Sequence, residues 1–142
     1  IRDVERSRGL GDVYKRQREV CDLIMERARN SSGFYISIDV DCLDPGFAPG
    51  VAYPEPGGLS SRELIYFIKR LVLLENFRGA DIVEINPDKD INKMSVRMGA
   101  KLLAEMIWVY KIKENLRSSA IPKANPANKI FFVLGDFRAF KK

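Results

Sequence analysis

The chain has 142 residues, room for one ordinary domain, and its 46% hydrophobic and 30% charged residues are a globular balance. It has no histidine, which excludes Ser-His-Asp and Cys-His catalysis and histidine-built zinc sites, and its two cysteines are too few for a disulfide framework or a closed thiolate site. The net charge of +5 sits at the ends: positions 18–110 carry 11 Lys and Arg against 14 Asp and Glu, so the folded part is mildly acidic and no nucleic-acid partner is expected.

Residues 1–17 show no sustained periodicity, and positions 12–17 resemble the translation of a common sequencing-library adaptor. This segment is expected to be foreign to the parent gene and to lack packed structure. Val20, Leu23, Ile24 and Ala28 have helical spacing, so a helix is predicted over 18–30, closed by the turn residues Asn30, Ser31, Ser32 and Gly33. Phe34, Tyr35, Ile36 and Ile38 suit a strand over 34–38. A loop rich in Pro and Gly follows, from Pro45 to Gly58. Ser60 and Glu63 form a capping box ahead of a helix with Leu64, Ile65, Ile68, Leu71 and Val72 on one face. Phe77, Arg78 and Gly79 break that helix, a second strand runs over 80–85, and Pro87 ends it. Ser95 is predicted to cap a last helix that places Val96, Leu102, Leu103, Met106, Ile107 and Tyr110 together. Residues 114–142 are a tail in which only 130–134 read as a strand.

Strands alternating with helices predict an α/β fold with a parallel sheet, right-handed crossovers and flanking helices. Ligands of such sheets bind beyond the carboxyl ends of the strands, which is where Asp39, Asp41 and Glu84 fall. Asp39 and Asp41, two apart at the end of an apolar strand, are expected to face the same way. Like charges held that close need compensation. No Lys or Arg lies between Asn30 and Ser61, so a cation is the attractive compensator, and carboxylates without thiolates suit hard cations such as Mn, Mg or Ca. Cys21 and Cys42 read as small apolar residues of a reducing compartment. No apolar run approaches the ~20 residues of a membrane span, and no leader segment is evident, so a cytoplasmic location is expected.

Ser37, Asp39, Asp41, Asp44 and Pro45, then Pro49-Gly50, then Pro54-Glu55-Pro56-Gly57-Gly58-Leu59, follow an ordered, ungapped pattern that resembles the ureohydrolase family of arginases and agmatinases, S-x-D-x-D-x-x-D-P followed by P-G and P-x-P-G-G-L. Glu84-Ile85-Asn86-Pro87 resembles that family's later substrate-site strand. The resemblance spans 32–108 and is strongest on the agmatinase side, through Pro54 to Gly58. It implies an arginase-like three-layer α/β/α fold of which residues 18–113 are the C-terminal part. It also implies two manganese ions that activate a water for attack on a guanidinium carbon. Asp39 and Asp41 would be metal ligands, and Glu84 would bind the guanidinium, a carboxylate being able to accept two parallel N–H bonds. Asp44 is left a turn-forming role.

Two departures qualify the likeness. The upstream His and the Asp-x-His-x-Asp segment that complete the family's metal site are absent, so the chain itself is expected to be inactive. Val51-Ala52-Tyr53 stands where many members read T-G-T beside the substrate. The resemblance implies hydrolysis of a small guanidino substrate, agmatine foremost, with arginine or a related compound as the alternative, and a homo-oligomer for the intact enzyme. A competing reading is a sheet retained as a non-catalytic binding or assembly module.

Overall fold

A computed structural model describes the backbone of residues 2–118 and 129–133, and the side chains of Lys15 and of residues 17–116. In chain order it comprises α1 (Arg2–Arg29), β1 (Gly33–Asp39), α2 (Ser61–Val72), β2 (Phe77–Val83), α3 (Met94–Ser118) and β3 (Lys129–Val133), with short 3-10 turns at Val40–Cys42 and Pro87–Lys89. The three strands are parallel in the order β2-β1-β3. The α/β class and the parallel sheet are as the alternation of elements predicts.

Apolar residues of α1, β1, α2 and α3, with Phe77 of β2, build the core. Phe34, Ile36 and Ile38 of β1 are all but fully buried, alternate residues on one strand face as a period of two requires. Cys21, Met25 and Ala28 of α1 join Leu64, Phe67, Ile68, Leu71 and Val72 of α2 and Met98, Leu102, Met106 and Val109 of α3 in the same cluster. The Phe34 and Phe77 rings pack tilted, with centroids 5.7 Å apart. Both cysteines are buried, and burial pushes the Cys21 thiol up to about 11 and the Cys42 thiol up to about 12, which keeps them protonated and apolar as expected. α2 starts with the predicted capping box: Ser60 Oγ accepts from the Glu63 N–H, and Glu63 returns a carboxylate oxygen to the Ser60 N–H at 2.7 Å.

Several boundaries differ from the sequence reading. Helical backbone runs from Arg2 rather than from residue 18, so 2–17 are not irregular. β2 begins at Phe77, and the residues expected to break α2 are instead its first ladder residues; it stops at Val83, short of Glu84. α3 buries Leu102 and Met106 of the predicted face together with Met98 and Val109, whereas Val96, Leu103, Ile107 and Tyr110 are exposed, so the buried stripe is rotated from that predicted and shares two residues with it. β3 covers the second edge of β1, close to the strand expected at 130–134. The rest of the tail, 119–128 and 134–142, lies outside the described residues. Among the described residues no helix is long and apolar enough to cross a membrane.

Candidate functional site

The carboxyl ends of β1 and β2 bring the predicted residues together, though by a different route from simple strand alternation. β1 ends at Asp39, and Asp41 lies in the 3-10 turn Val40–Cys42. Asp39 caps that turn, its Oδ1 accepting the Asp41 N–H at 2.9 Å. The two carboxylates are therefore neighbours because one caps the turn that carries the other. Val40 and Cys42, buried on either side, hold the turn in the core.

Asp41 carries the electrostatic strain of the site. Burial, then the charges of Asp39 and Glu84, raise its pKa above the usual carboxylate value; a backbone hydrogen bond from Tyr53 and the charge of Lys89 pull against this. Its Oδ1 is buried without a hydrogen-bond partner. The compensating cation sought near β1 is thus partly supplied from the β2 side by Lys89, whose Nζ donates to Ala52 O at 3.3 Å. An argument from neighbours in sequence had no means of finding it.

Glu84 follows the last residue of β2 and has a φ of 66°, in the left-handed region that non-glycine residues avoid. Holding it there costs about 1 kcal/mol or more. Strain of this kind persists only where surrounding contacts enforce it, and it clusters at functional sites.

The loop between β1 and α2 is anchored at both ends and in the middle. Asp44 donates its N–H to Leu59 O at 2.9 Å, and the Leu59 N–H reaches Cys42 O at 2.8 Å. Asp44 takes the turn-forming role assigned to it: its two carboxylate oxygens accept the N–H groups of Gly46 and Gly57, each at 2.9 Å, and these bonds hold its pKa below the usual range. The loop packs so closely on itself that a Cβ at Gly58 would come within 2.6 Å of backbone atoms of Leu43 and Asp44.

The middle anchor is Gly50. Its N–H donates to Ser95 Oγ at 2.7 Å, and its carbonyl accepts the Asn86 N–H at 2.8 Å. Ser95 is not the predicted cap. It is fully buried inside α3, and the cap is Asp90, whose two carboxylate oxygens accept the N–H groups of Ser95 and Val96, each at 3.0 Å. The sequence reading gave Asn86 no role of its own within the Glu84–Pro87 motif and missed Lys89 and Asp90. Asn-Pro is a turn-initiating pair that would have found Asn86; nothing local marks Asp90, which reaches over Asn92 and Lys93, both at positive φ.

The pair Asp39 and Asp41 fits a hard cation in part. A buried carboxylate oxygen with no partner, beside a second carboxylate, is what an oxygen-coordinated cation would complete. Among the described residues no group of three His, Cys, Asp or Glu side chains stands ready to hold a metal, so these are two donors and not a whole site.

A parallel sheet with acidic residues gathered beyond its carboxyl ends defines an α/β protein with its candidate site at that edge. The arginase family model matches residues 10–108, and the chain belongs to that family. The match begins inside the segment expected to lie outside it. Arginase 1, mitochondrial, of Arabidopsis thaliana is 51% identical over 75 residues, covering 52% of this chain and 21% of that protein. Putative agmatinase 3 of Schizosaccharomyces pombe is 41% identical over 97 residues, covering 63% of this chain and 24% of that protein. Among solved structures, proclavaminate amidino hydrolase from Streptomyces clavuligerus superposes with a TM-score of 0.61 at 33% identity, covering 66% of this chain and 31% of that one. The chain thus spans between a fifth and a quarter of the length of these two curated relatives.

Proposed function

We propose that residues 18–113 are the C-terminal part of a guanidino hydrolase that uses manganese. In this reading Asp39 and Asp41 contribute metal ligands, and Glu84 anchors the substrate guanidinium. The single observation that carries it is the convergence of two carboxylates, Asp39 and Glu84, on Asp41, whose buried Oδ1 lacks a partner, at the carboxyl end of the sheet. When bound, the metal would supply a water activated near neutral pH and charge stabilisation for the attacked carbon. Asp39 and Asp41 would hold that charge, the turn cap from Asp39 keeping the pair in place. Glu84, fixed by its backbone, would accept N–H bonds from the guanidinium and align its carbon for attack.

Agmatine is the substrate we favour, on the Pro54-Glu55-Pro56-Gly57-Gly58 wording of the loop: agmatine and water give putrescine and urea. Arginine is the second reading, favoured by the 51% identity to a plant arginase. The remaining ligands would come from a longer polypeptide, which we expect to be a cytoplasmic homo-oligomer, and the 142-residue chain alone to release no urea above a metal-only control.

The test is to express the full reading frame that contains 18–113 and to measure urea release from agmatine and from arginine with added Mn2+. In that enzyme, Asp39→Asn is expected to lose bound manganese and nearly all turnover. Glu84→Gln is expected to keep its manganese and to lose at least about tenfold in kcat/KM, since a charged hydrogen bond contributes ~1.5–3 kcal/mol and ~1.4 kcal/mol is a factor of ten. Manganese lost from Glu84→Gln and kept in Asp39→Asn would overturn the division of roles.

A further inference from the structure

The contact between Gly50 and Ser95 joins the two halves of the site. On one side, the loop that starts after Asp41 is pinned at its ends by bonds among Cys42, Asp44 and Leu59. On the other, the turn after β2 carries Glu84 and, two residues on, Asn86. Gly50 is the point where they meet: its carbonyl is held by the Asn86 N–H and its N–H by Ser95 Oγ. Gly50 is buried, Ser95 is fully buried, and a Cβ at Gly50 would lie 2.7 Å from the Asp90 Cα and 2.4 Å from its Cβ, so the approach admits no other residue without displacement. Asp90 fixes Ser95 in turn, accepting both its backbone N–H and a hydrogen bond from its side chain, so the hydroxyl donates to Asp90 while its oxygen accepts from Gly50.

We infer that Ser95 is a positioning residue: acting through Gly50, its hydroxyl sets the separation between the Val51–Tyr53 loop beside Asp41 and the turn that presents Glu84. It touches neither carboxylate. Its work is to supply the one acceptor a buried backbone N–H needs, because an unmet buried donor would drive the loop outward toward water. The inference deepens the proposed function and rests on it for the meaning of the site, but the coupling itself is a property of this chain.

The test uses the 142-residue chain, nitrogen-15 labelled, with two readouts: amide hydrogen exchange, and paramagnetic broadening by Mn2+ alone. In the unsubstituted chain, Mn2+ is expected to broaden the Asp41, Tyr53 and Glu84 amides together. In Ser95→Ala, the amides of Gly50, Val51 and Tyr53 should exchange at least tenfold faster and Tyr53 should leave the broadened set, while Asp41 stays in it and α3 keeps its protection. Ser95→Thr, which retains the hydroxyl, should restore both. Ser95→Cys, near in volume and a poor acceptor, covers the case in which Ser95→Ala fails to fold, and should loosen the same amides. Unchanged exchange and unchanged Tyr53 broadening in a folded Ser95→Ala or Ser95→Cys would overturn the inference, as would loss of protection spread evenly over β1 and α3. If Mn2+ broadened nothing in the unsubstituted chain, the metal reading would fall while the exchange comparison still decided the role of Ser95.

Discussion

The two ends of the sheet are made from the same elements and treat polar groups in opposite ways. At the amino end, Asn76 gives its amide hydrogens to Ala28 O and Ser31 O, each at 2.6 Å, Ser31 Oγ donates to Ala28 O at 2.7 Å, and Lys113 Nζ donates to Leu74 O while its charge lies over the Phe77 ring. Every one of these groups closes a helix end or a strand entry. At the carboxyl end, carboxylates crowd, one buried oxygen is left without a partner, and Glu84 sits in a disfavoured backbone region. The amino end is arranged for stability. The carboxyl end carries a cost in crowded charge and in backbone strain.

If this contrast is right, substitutions at the two ends should move stability in opposite directions. Asn76→Ala should cost the most, about 2 kcal/mol, since it takes a buried donor from both Ala28 O and Ser31 O where α1 turns into β1; a denaturant midpoint unchanged from the parent would break the comparison. Glu84→Gly should stabilise the metal-free chain by about 1 kcal/mol, because glycine occupies the left-handed region without a Cβ penalty. Thermal melts of the two variants should shift to opposite sides of the parent. The smallest effect, and the most specific, is at Asp41. Its native pKa is raised, so the native state holds the proton more tightly than the unfolded chain does. The stability this group contributes is complete below the ordinary carboxylate range and is lost as pH rises through the raised value. Asp41→Asn should therefore melt higher than the parent at neutral pH, with the difference closing below about pH 4. A gain that persisted in acid would show that charge is not what Asp41 costs the fold.

The elements were legible where a single periodicity or a local cap decides them. β1, the Ser60-Glu63 box and the apolar face of α2 depend on residues within a few positions of each other, and they stand where predicted. Asp41 lies beside Asp39 for a reason other than the one assumed: the strand stops at Asp39, and a side-chain cap takes over where alternation was expected. The exposed Leu103, Ile107 and Trp108 show the limit on α3, which is apolar on more than one side, so spacing could not choose the face that packs. The bonds from Lys89 to Ala52 and from Gly50 to Ser95 were out of reach because these partners are brought together only by the crossover from β1 to β2.

The order in which the strands leave the ribosome adds a consequence. β2 follows β1 after a single helix, but β3, which lies against the other edge of β1 from Gly33↔Lys129 to Ser37↔Val133, is translated after everything else that the core contains. During synthesis the edge of the apolar strand Gly33–Asp39 that β3 will cover therefore waits while α2, β2 and α3 are made. An open parallel edge next to Phe34, Ile36 and Ile38 is a template for another nascent copy. Slow elongation between Val72 and Lys129 should lengthen that exposure, and the fraction of chain recovered in aggregates should rise with it.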